Sequence, residues 1–331
     1  MKRGFAIVIA ILAVTLGAQQ GAAQPSTPEA DQCRSPLIVD APDFPVIASP
    51  APPTPTPLSD GTAPSAAFAS PAPEPLVPAP EEVVAGVEAL AESLAACISS
   101  GDTAVVAELT SAEFRGDLYG GGERLSVEEY VEIVAGGEPV PTRIENLTNV
   151  QFDGIRTVGA DLTLVRGNQL LLERWTFLFI ESRASGGTPV AANEGSWRAH
   201  RIQPLGAPDF SPAETLTATL SEYVTDLDAD RMEGPELLIA GRNEGVEAHE
   251  MLVLRVAPGA DVSDLLRSPD GGIPDGIAIV GQLTLLPGES GEIALVDLEP
   301  GDYAIVCLLP DAAGVPHLAF GQQATFQITG P

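Results

Sequence analysis

Between residues 213 and 330 the chain breaks into short apolar runs separated by turn residues, and this pattern restricts the fold more than any other feature. The runs are Leu216–Thr225, Leu237–Arg242, Met251–Val256, Ile277–Leu286, Glu292–Asp297, Asp302–Leu308 and Ala324–Thr329. Pro-Gly pairs at 258–259, 287–288 and 300–301 punctuate them. Proline neither continues a helix nor donates to a strand ladder, and glycine supplies the backbone angles of a tight turn. Seven such runs in about 115 residues predict an all-β sandwich. Asp261–Leu266 fits one short helix.

The segment 81–206 reads differently. Glu81–Ser99 carries Val84, Val87, Leu90, Leu94 and Cys97 at helical spacing. Gly101 ends that helix and Asp102 caps a second, with Val105, Val106 and Leu109. Ser126-x-x-Glu129 is a capping box opening a third, with Tyr130, Val131 and Ile133. Strand patterns follow at Arg143–Asp153, Gly159–Arg166, Gln169–Ser182 and Gly195–Pro204. Three helices and then a curved antiparallel meander make an α+β domain.

The run Cys97-Ile-Ser-Ser-Gly-Asp102, the Ala/Val/Leu helix after it, Phe114 and the meander resemble the ketosteroid-isomerase-like (SnoaL-like) cone fold. The resemblance implies a pocket for a small apolar ligand or a surface for a protein partner, since this fold hosts enzymes and binding modules alike. An isomerase of this kind needs a base and an acid pair deep in the cone. Asp117 stands where the base would fall, inside a Gly-Asp-Leu-Tyr-Gly-Gly-Gly stretch that reads as an open loop. No second acid accompanies it, and His200, alternating with Trp197, has no evident partner. An electron-transfer or binding protein is therefore expected rather than an enzyme.

Chemistry concentrates in the C-terminal segment. Asn243-Glu-Gly245-Val-Glu-Ala-His249 closes one strand run, and Gly301-Asp-Tyr303-Ala-Ile-Val-Cys307 closes another. His317 follows Cys307 after nine residues, and Gln322 follows His317 after four. Two of the chain's 3 histidines fall on this pattern. It resembles the cupredoxin (plastocyanin-like) family of type 1 copper proteins, which are Greek-key sandwiches. The resemblance implies one copper ion held equatorially by His249, Cys307 and His317, with Gln322 at the axial position more often filled by Met. A type 1 centre uses one thiolate and two imidazoles plus a weak axial ligand, and an amide oxygen there favours Cu(II) and lowers the potential. Met251 would lie on the same side of its strand as His249 and serve core packing, the alternative being a soft metal ligand, with Glu250 facing the other way into solvent. Multicopper oxidase and copper nitrite reductase chemistry need more histidines than this chain has. The implied function is one-electron transfer or copper carriage, with a redox or copper-exchange protein as partner. The alternative is a metal-free cell-surface binding protein that uses the cone pocket, with Cys307 as a core thiol.

With Cys307 so assigned, Cys33 and Cys97 remain, either as a disulfide that pins the leader to the first helix or as two free thiols. The N-terminus favours an oxidising compartment. Lys2 and Arg3 precede the apolar run Phe5–Leu16, and Gly21-Ala22-Ala23 fits a cleavage site, so 1–23 reads as a signal peptide, the alternative being an uncleaved membrane anchor. No later apolar stretch is expected to span a membrane, which takes about 18 apolar residues. Residues 24–80 hold 16 of the 31 prolines and read as a disordered, extended tether. Within it, Ser35–Ile47 is less repetitive and suited to packing on the next domain. A secreted, periplasmic or cell-surface protein is expected. A net charge of −30 argues against nucleic acid and anionic membranes as partners.

Overall fold

A computed structural model of the chain describes residues 32–36, 38–44, 77–119, 121–135, 139–181, 194–212, 214–267 and 273–330. The expected signal peptide and the repetitive middle of the tether lie outside the described residues. Two short strands, β1 (Val39–Asp40) and β2 (Val77–Pro78), precede helix α1 (Glu81–Ser100). Gly101 ends α1 in the left-handed region (φ 72°). Asp102 then caps α2 (Thr103–Leu109) by accepting from the Val105 amide at 3.1 Å. The capping box expected at Ser126 and Glu129 opens α4 (Val127–Val134), with both reciprocal hydrogen bonds made.

One helix was not anticipated. The stretch read as an open loop begins as helix α3 (Ala112–Tyr119). Phe114 is fully buried on it, edge-on to Trp175 with ring centres 5.1 Å apart. Arg115 is buried too and donates to the carbonyls of Leu125 (3.1 Å) and Thr110 (2.9 Å). Gly116, read as a loop residue, is required inside the helix because a Cβ there would overlap the Glu123 backbone. Asp117 accepts from the Ile202 amide at 2.9 Å and pairs with Arg201 at 2.9 Å, so it ties α3 to the sheet.

That sheet is formed by β3 (Thr142–Phe152), β4 (Thr157–Arg166), β5 (Gln169–Glu181) and β6 (Glu194–Gly206), in antiparallel succession. The helices cover its apolar face, and Leu162, Leu164, Trp175, Phe177 and Ala199 are fully buried beneath them. By length and composition alone α1 is long and apolar enough to cross a bilayer, although half of its apolar window is buried inside the structure. Val87, Ala91, Leu94 and Cys97 on it are fully buried, as in a core helix. Cys97 is bonded to Cys33, which fastens the segment around Cys33 to α1, where Arg34 also exchanges hydrogen bonds with Ser93. Phe44 then packs against Phe152, Phe179 and Trp197.

The remaining strands are β7 (Thr215–Ser221), β8 (Val224–Leu227), β9 (Arg231–Glu233), β10 (Leu237–Asn243), β11 (His249–Val256), β12 (Ile277–Leu285), β13 (Ser290–Leu295), β14 (Gly301–Val306) and β15 (Gln323–Thr329). Residues 262–266 form a 3-10 turn. The run expected as one strand over Leu216–Thr225 is a hairpin, because Tyr223 takes a left-handed conformation (φ 64°) between β7 and β8. Strands β12-β11-β14-β15-β9 form one sheet. Strands β13-β10-β7-β8 form the other, and Leu216, Ile239, Met251, Ile293, Tyr303 and Ile305 interlock between the two. A β-sandwich results, as the strand spacing predicts.

The sandwich also continues the N-terminal sheet. Leu170 and Gln169 at the start of β5 pair with Ala294 and Leu295 of β13, which joins ten strands into one sheet. Asn168 secures the joint by donating to the carbonyls of Val296 (2.9 Å) and Asp297 (3.0 Å).

Candidate metal centre

Each donor of the predicted set is placed by backbone hydrogen bonds that its neighbours make. Asn243, at the end of β10, is fully buried. Its side chain donates to the carbonyls of Glu247 (2.8 Å) and Leu285 (2.9 Å) and accepts from the Gly245 amide (2.8 Å). The loop so shaped delivers His249 at the first position of β11. Gly245 is needed for close approach, since a Cβ there would lie 2.8 Å from His249 Nε2.

Cys307 follows β14, which pairs antiparallel with β11. The Glu250 amide points across that pairing and donates to Cys307 Sγ at 3.3 Å. Within the following loop, Asp311 accepts from the amides of Ala313 (2.8 Å) and Val315 (2.9 Å). The chain then returns in a 3-10 turn, His317–Phe320. The turn is stitched back by Leu318 N–H to the Cys307 carbonyl (2.8 Å) and His317 N–H to the Leu309 carbonyl (3.0 Å). Gly321 closes the turn in the left-handed region (φ 95°), and Gln322 N–H bonds the His317 carbonyl at 3.2 Å.

The structure brings His249, Cys307, His317 and Gln322 together. The first three offer donor atoms within 4.8 Å of one another. His249 Nδ1 lies 3.2 Å from His317 Nδ1, which lies 3.4 Å from Cys307 Sγ. Gln322 Nε2 lies 3.1 Å from His249 Nδ1 and donates to the Ser221 carbonyl at 3.1 Å. All four side chains are at most 1% exposed. Around them, His317 Nε2 meets Glu247 Oε2 at 3.0 Å, and the Tyr223 ring stands edge-on to His317 with centres 5.6 Å apart. Tyr223 in turn packs on Phe320 at 4.5 Å.

Desolvation shapes the protonation of this cluster. Burial, and next the neighbouring His317, hold the His249 imidazole below its ordinary pKa. Burial pushes the Cys307 thiol up to about 11, against the pull of the Glu250 and Leu309 amides. Two imidazoles and a thiol crowd their donor atoms into one dry space. Among the described residues, His249 Nε2 and Gln322 Oε1 find no hydrogen-bond partner. A sulfur and two imidazole nitrogens, converging and buried, suit a soft or borderline transition metal. The residues fit a copper ion on that chemistry.

Two expectations about the neighbours of His249 had different outcomes. Met251 is fully buried in the sandwich core, as expected. Glu250 is not solvated, because it is 1% exposed. The face of β11 opposite the core is itself covered, by Val262, Ile277 and Leu318. Burial pushes the Glu250 carboxyl up to about 7, against the pull of the Leu308 amide and the Gln282 side chain. Gln282 Nε2 donates to it at 2.9 Å. Alternation along β11 gave no sign of this, because strand period distinguishes two faces and not whether the second is wet.

Among the described residues of the N-terminal unit, no comparable cluster of metal-donor side chains occurs. Inside that unit Phe114 stands edge-on to Trp175, whose ring centre lies 6.3 Å from that of Phe177. Asp117 is consumed by its bonds to Ile202 and Arg201. His200 Nδ1 does have a partner, Ser111 Oγ at 3.1 Å. A cleft lined by Arg34, Val39, Leu90, Ser93 and Trp197 lies between the disulfide-fastened segment and α1.

No protein-family model matches the chain, and no curated protein does. Solved structures do align with part of it. Auracyanin from the photosynthetic bacterium Roseiflexus castenholzii, reduced with dithionite, is 18% identical over 36% of this chain and 99% of its own, with a TM-score of 0.27. Auracyanin B is 18% identical over 38% and 95%, with a TM-score of 0.26. Auracyanin A, a "blue" copper protein from Chloroflexus aurantiacus, is 14% identical over 35% and 100%, with a TM-score of 0.25.

Proposed function

We propose that the C-terminal sandwich is a cupredoxin-like module that holds one type 1-like copper ion and serves one-electron transfer or copper carriage outside the cytoplasm. The observation that carries this reading is the convergence of Cys307 Sγ and two imidazole Nδ1 atoms in a fully buried space. His249, Cys307 and His317 would be the principal ligands, with Gln322 in the weaker axial role. Bound there, copper would supply a couple that takes up and returns one electron. The protein's part is to fix the donors before the metal arrives, which reduces the rearrangement that accompanies each electron. Asn243, Gly245 and the bonded loop 307–317 do this. They also exclude water.

Exchange with a partner must cross the residues that cover His317. Tyr223 and Phe320 are 36% and 48% exposed, and Val246, whose amide donates to the Glu222 carboxylate, is 81% exposed. Glu222 and Glu247 flank these, so the face suits a partner that is apolar at its centre and cationic at its rim. The Cys33–Cys97 disulfide supports an oxidising compartment, in line with the apolar N-terminal run. The cone-fold resemblance of residues 81–206 belongs to this same proposal, with those residues as a docking or supporting unit.

The test is titration of the full chain with Cu(II), followed by visible and EPR spectra beside Cys307→Ser. An intense blue band with narrow copper hyperfine splitting, lost in the variant, is expected. A colourless wild-type protein without stoichiometric copper overturns the reading and leaves Cys307 as a core thiol.

A further inference from the structure

A path of hydrogen bonds crosses from the N-terminal unit to the sulfur of the candidate centre. Gln169, at the start of β5, reaches over the joint and grips the backbone of Gln282 on β12 from both sides. Its Nε2 donates to the Gln282 carbonyl at 3.1 Å, and its Oε1 accepts from the Gln282 amide at 3.0 Å. Gln282 Nε2 then donates to Glu250 Oε1 at 2.9 Å. The Glu250 amide donates to Cys307 Sγ at 3.3 Å. We infer that Gln169 and Gln282 are positioning residues of the metal centre, through which the N-terminal unit sets the hydrogen bond that Cys307 Sγ receives.

Three features make the path more than a row of contacts. Glu250 is buried, so its carboxylate cannot exchange Gln282 for water, and losing that partner strands a buried polar group. Glu250 lies between His249 and Met251, so a rotation of its peptide moves a proposed ligand as well as the donor. Gly281, next to Gln282, has no room for a side chain, since a Cβ there would stand 2.8 Å from Leu295 and 2.9 Å from Ile293. Strand β12 is thus held against β13 at the place where Gln169 grips it. Hydrogen bonding around the cysteine sulfur is one of the levers that tune a copper–thiolate centre. A donor at Sγ withdraws charge from the thiolate and favours the reduced metal. This inference rests on the copper reading for its spectroscopic consequence, while the path itself stands on the metal-free geometry.

The test compares Gln169→Ala and Gln282→Leu with Asn168→Ala in the full chain. Asn168 bonds the same joint but lies off the path. Two quantities are read: exchange of the Glu250 amide in metal-free protein, and reduction potential with EPR hyperfine splitting after Cu(II) loading. Gln169→Ala is expected to speed Glu250 amide exchange about tenfold and to lower the potential, with Asn168→Ala at wild-type values for both. The double variant Gln169→Ala/Gln282→Leu should change no more than Gln282→Leu alone, because both cut one path. If Gln282→Leu does not fold, the Gln169 and Asn168 pair decides. Equal effects of Gln169→Ala and Asn168→Ala on amide exchange overturn the inference and reduce Gln169 to a joint residue. A colourless wild type overturns the copper reading instead, and amide exchange still decides the path.

Discussion

Glu247 Oε2 sits 3.0 Å from His317 Nε2, on the side of the ring away from the donor cluster. A carboxylate there accepts the Nε2 proton, fixes the tautomer and leaves the Nδ1 lone pair facing Cys307 and His249. Partners of this kind orient metal-binding imidazoles and raise their basicity. His317 is thereby buried and oriented without reaching the surface.

Glu247→Ala should weaken copper binding about 10- to 100-fold, the range seen when such outer partners are removed. Competition titration against a chelator measures it. Glu247→Gln keeps an acceptor and should recover most of the affinity. Equal loss in both variants would assign the effect to charge instead of orientation.

Gln322→Met should raise the reduction potential, because a thioether favours Cu(I) more than an amide oxygen does. It should also lower stability by about 1–2 kcal/mol, since the Ser221 carbonyl loses the Gln322 donor. Redox titration and chemical denaturation read the two effects separately. An unchanged potential would remove Gln322 from the metal's surroundings.

Gly245→Ala places a methyl against His249 Nε2 and the Glu222 carboxylate. Crowding of a packed site costs about 1–3 kcal/mol. Denaturation midpoints should fall, and copper affinity with them, because His249 must move to make room. A variant with wild-type affinity would show that the loop yields in place of the ring.

The Cys33–Cys97 bond closes a loop with a sequence separation of 64. Replacing both residues by Ala should destabilise the N-terminal unit by about 2–4 kcal/mol through the freedom returned to the unfolded chain. Calorimetry should show the transition move, while the copper spectrum stays as in wild type. Loss of the blue band on this substitution would mean that the disulfide supports the centre across the joint.

How much of this was legible varies by residue. The sandwich strands were readable because Pro-Gly pairs and short apolar runs are local signals. The spacing of His249, Cys307, His317 and Gln322 was readable because three of the four come from one loop and its flanks. Helix α3 was hidden by the four glycines around Asp117, one of which, Gly116, the helix requires for its close approach to Glu123. The burial of Glu250 was hidden because period-two alternation assigns a face and not its covering. Tyr223 gave no sign that its backbone would break a strand and set its ring on His317.

The sequence by itself determined which side chains could converge as donors: one of three thiols, two imidazoles and an amide, at spacings that one strand end and one loop can bring together. It also determined the strand breaks, since proline and glycine act on their own backbone. Only the tertiary structure decided what surrounds those donors. The joining of β5 to β13, the grip of Gln169 on Gln282, the burial of Glu250 and the cover over His317 all depend on residues far apart in the chain. Such contacts follow from how sheets stack and which faces they close, and no local pattern encodes them.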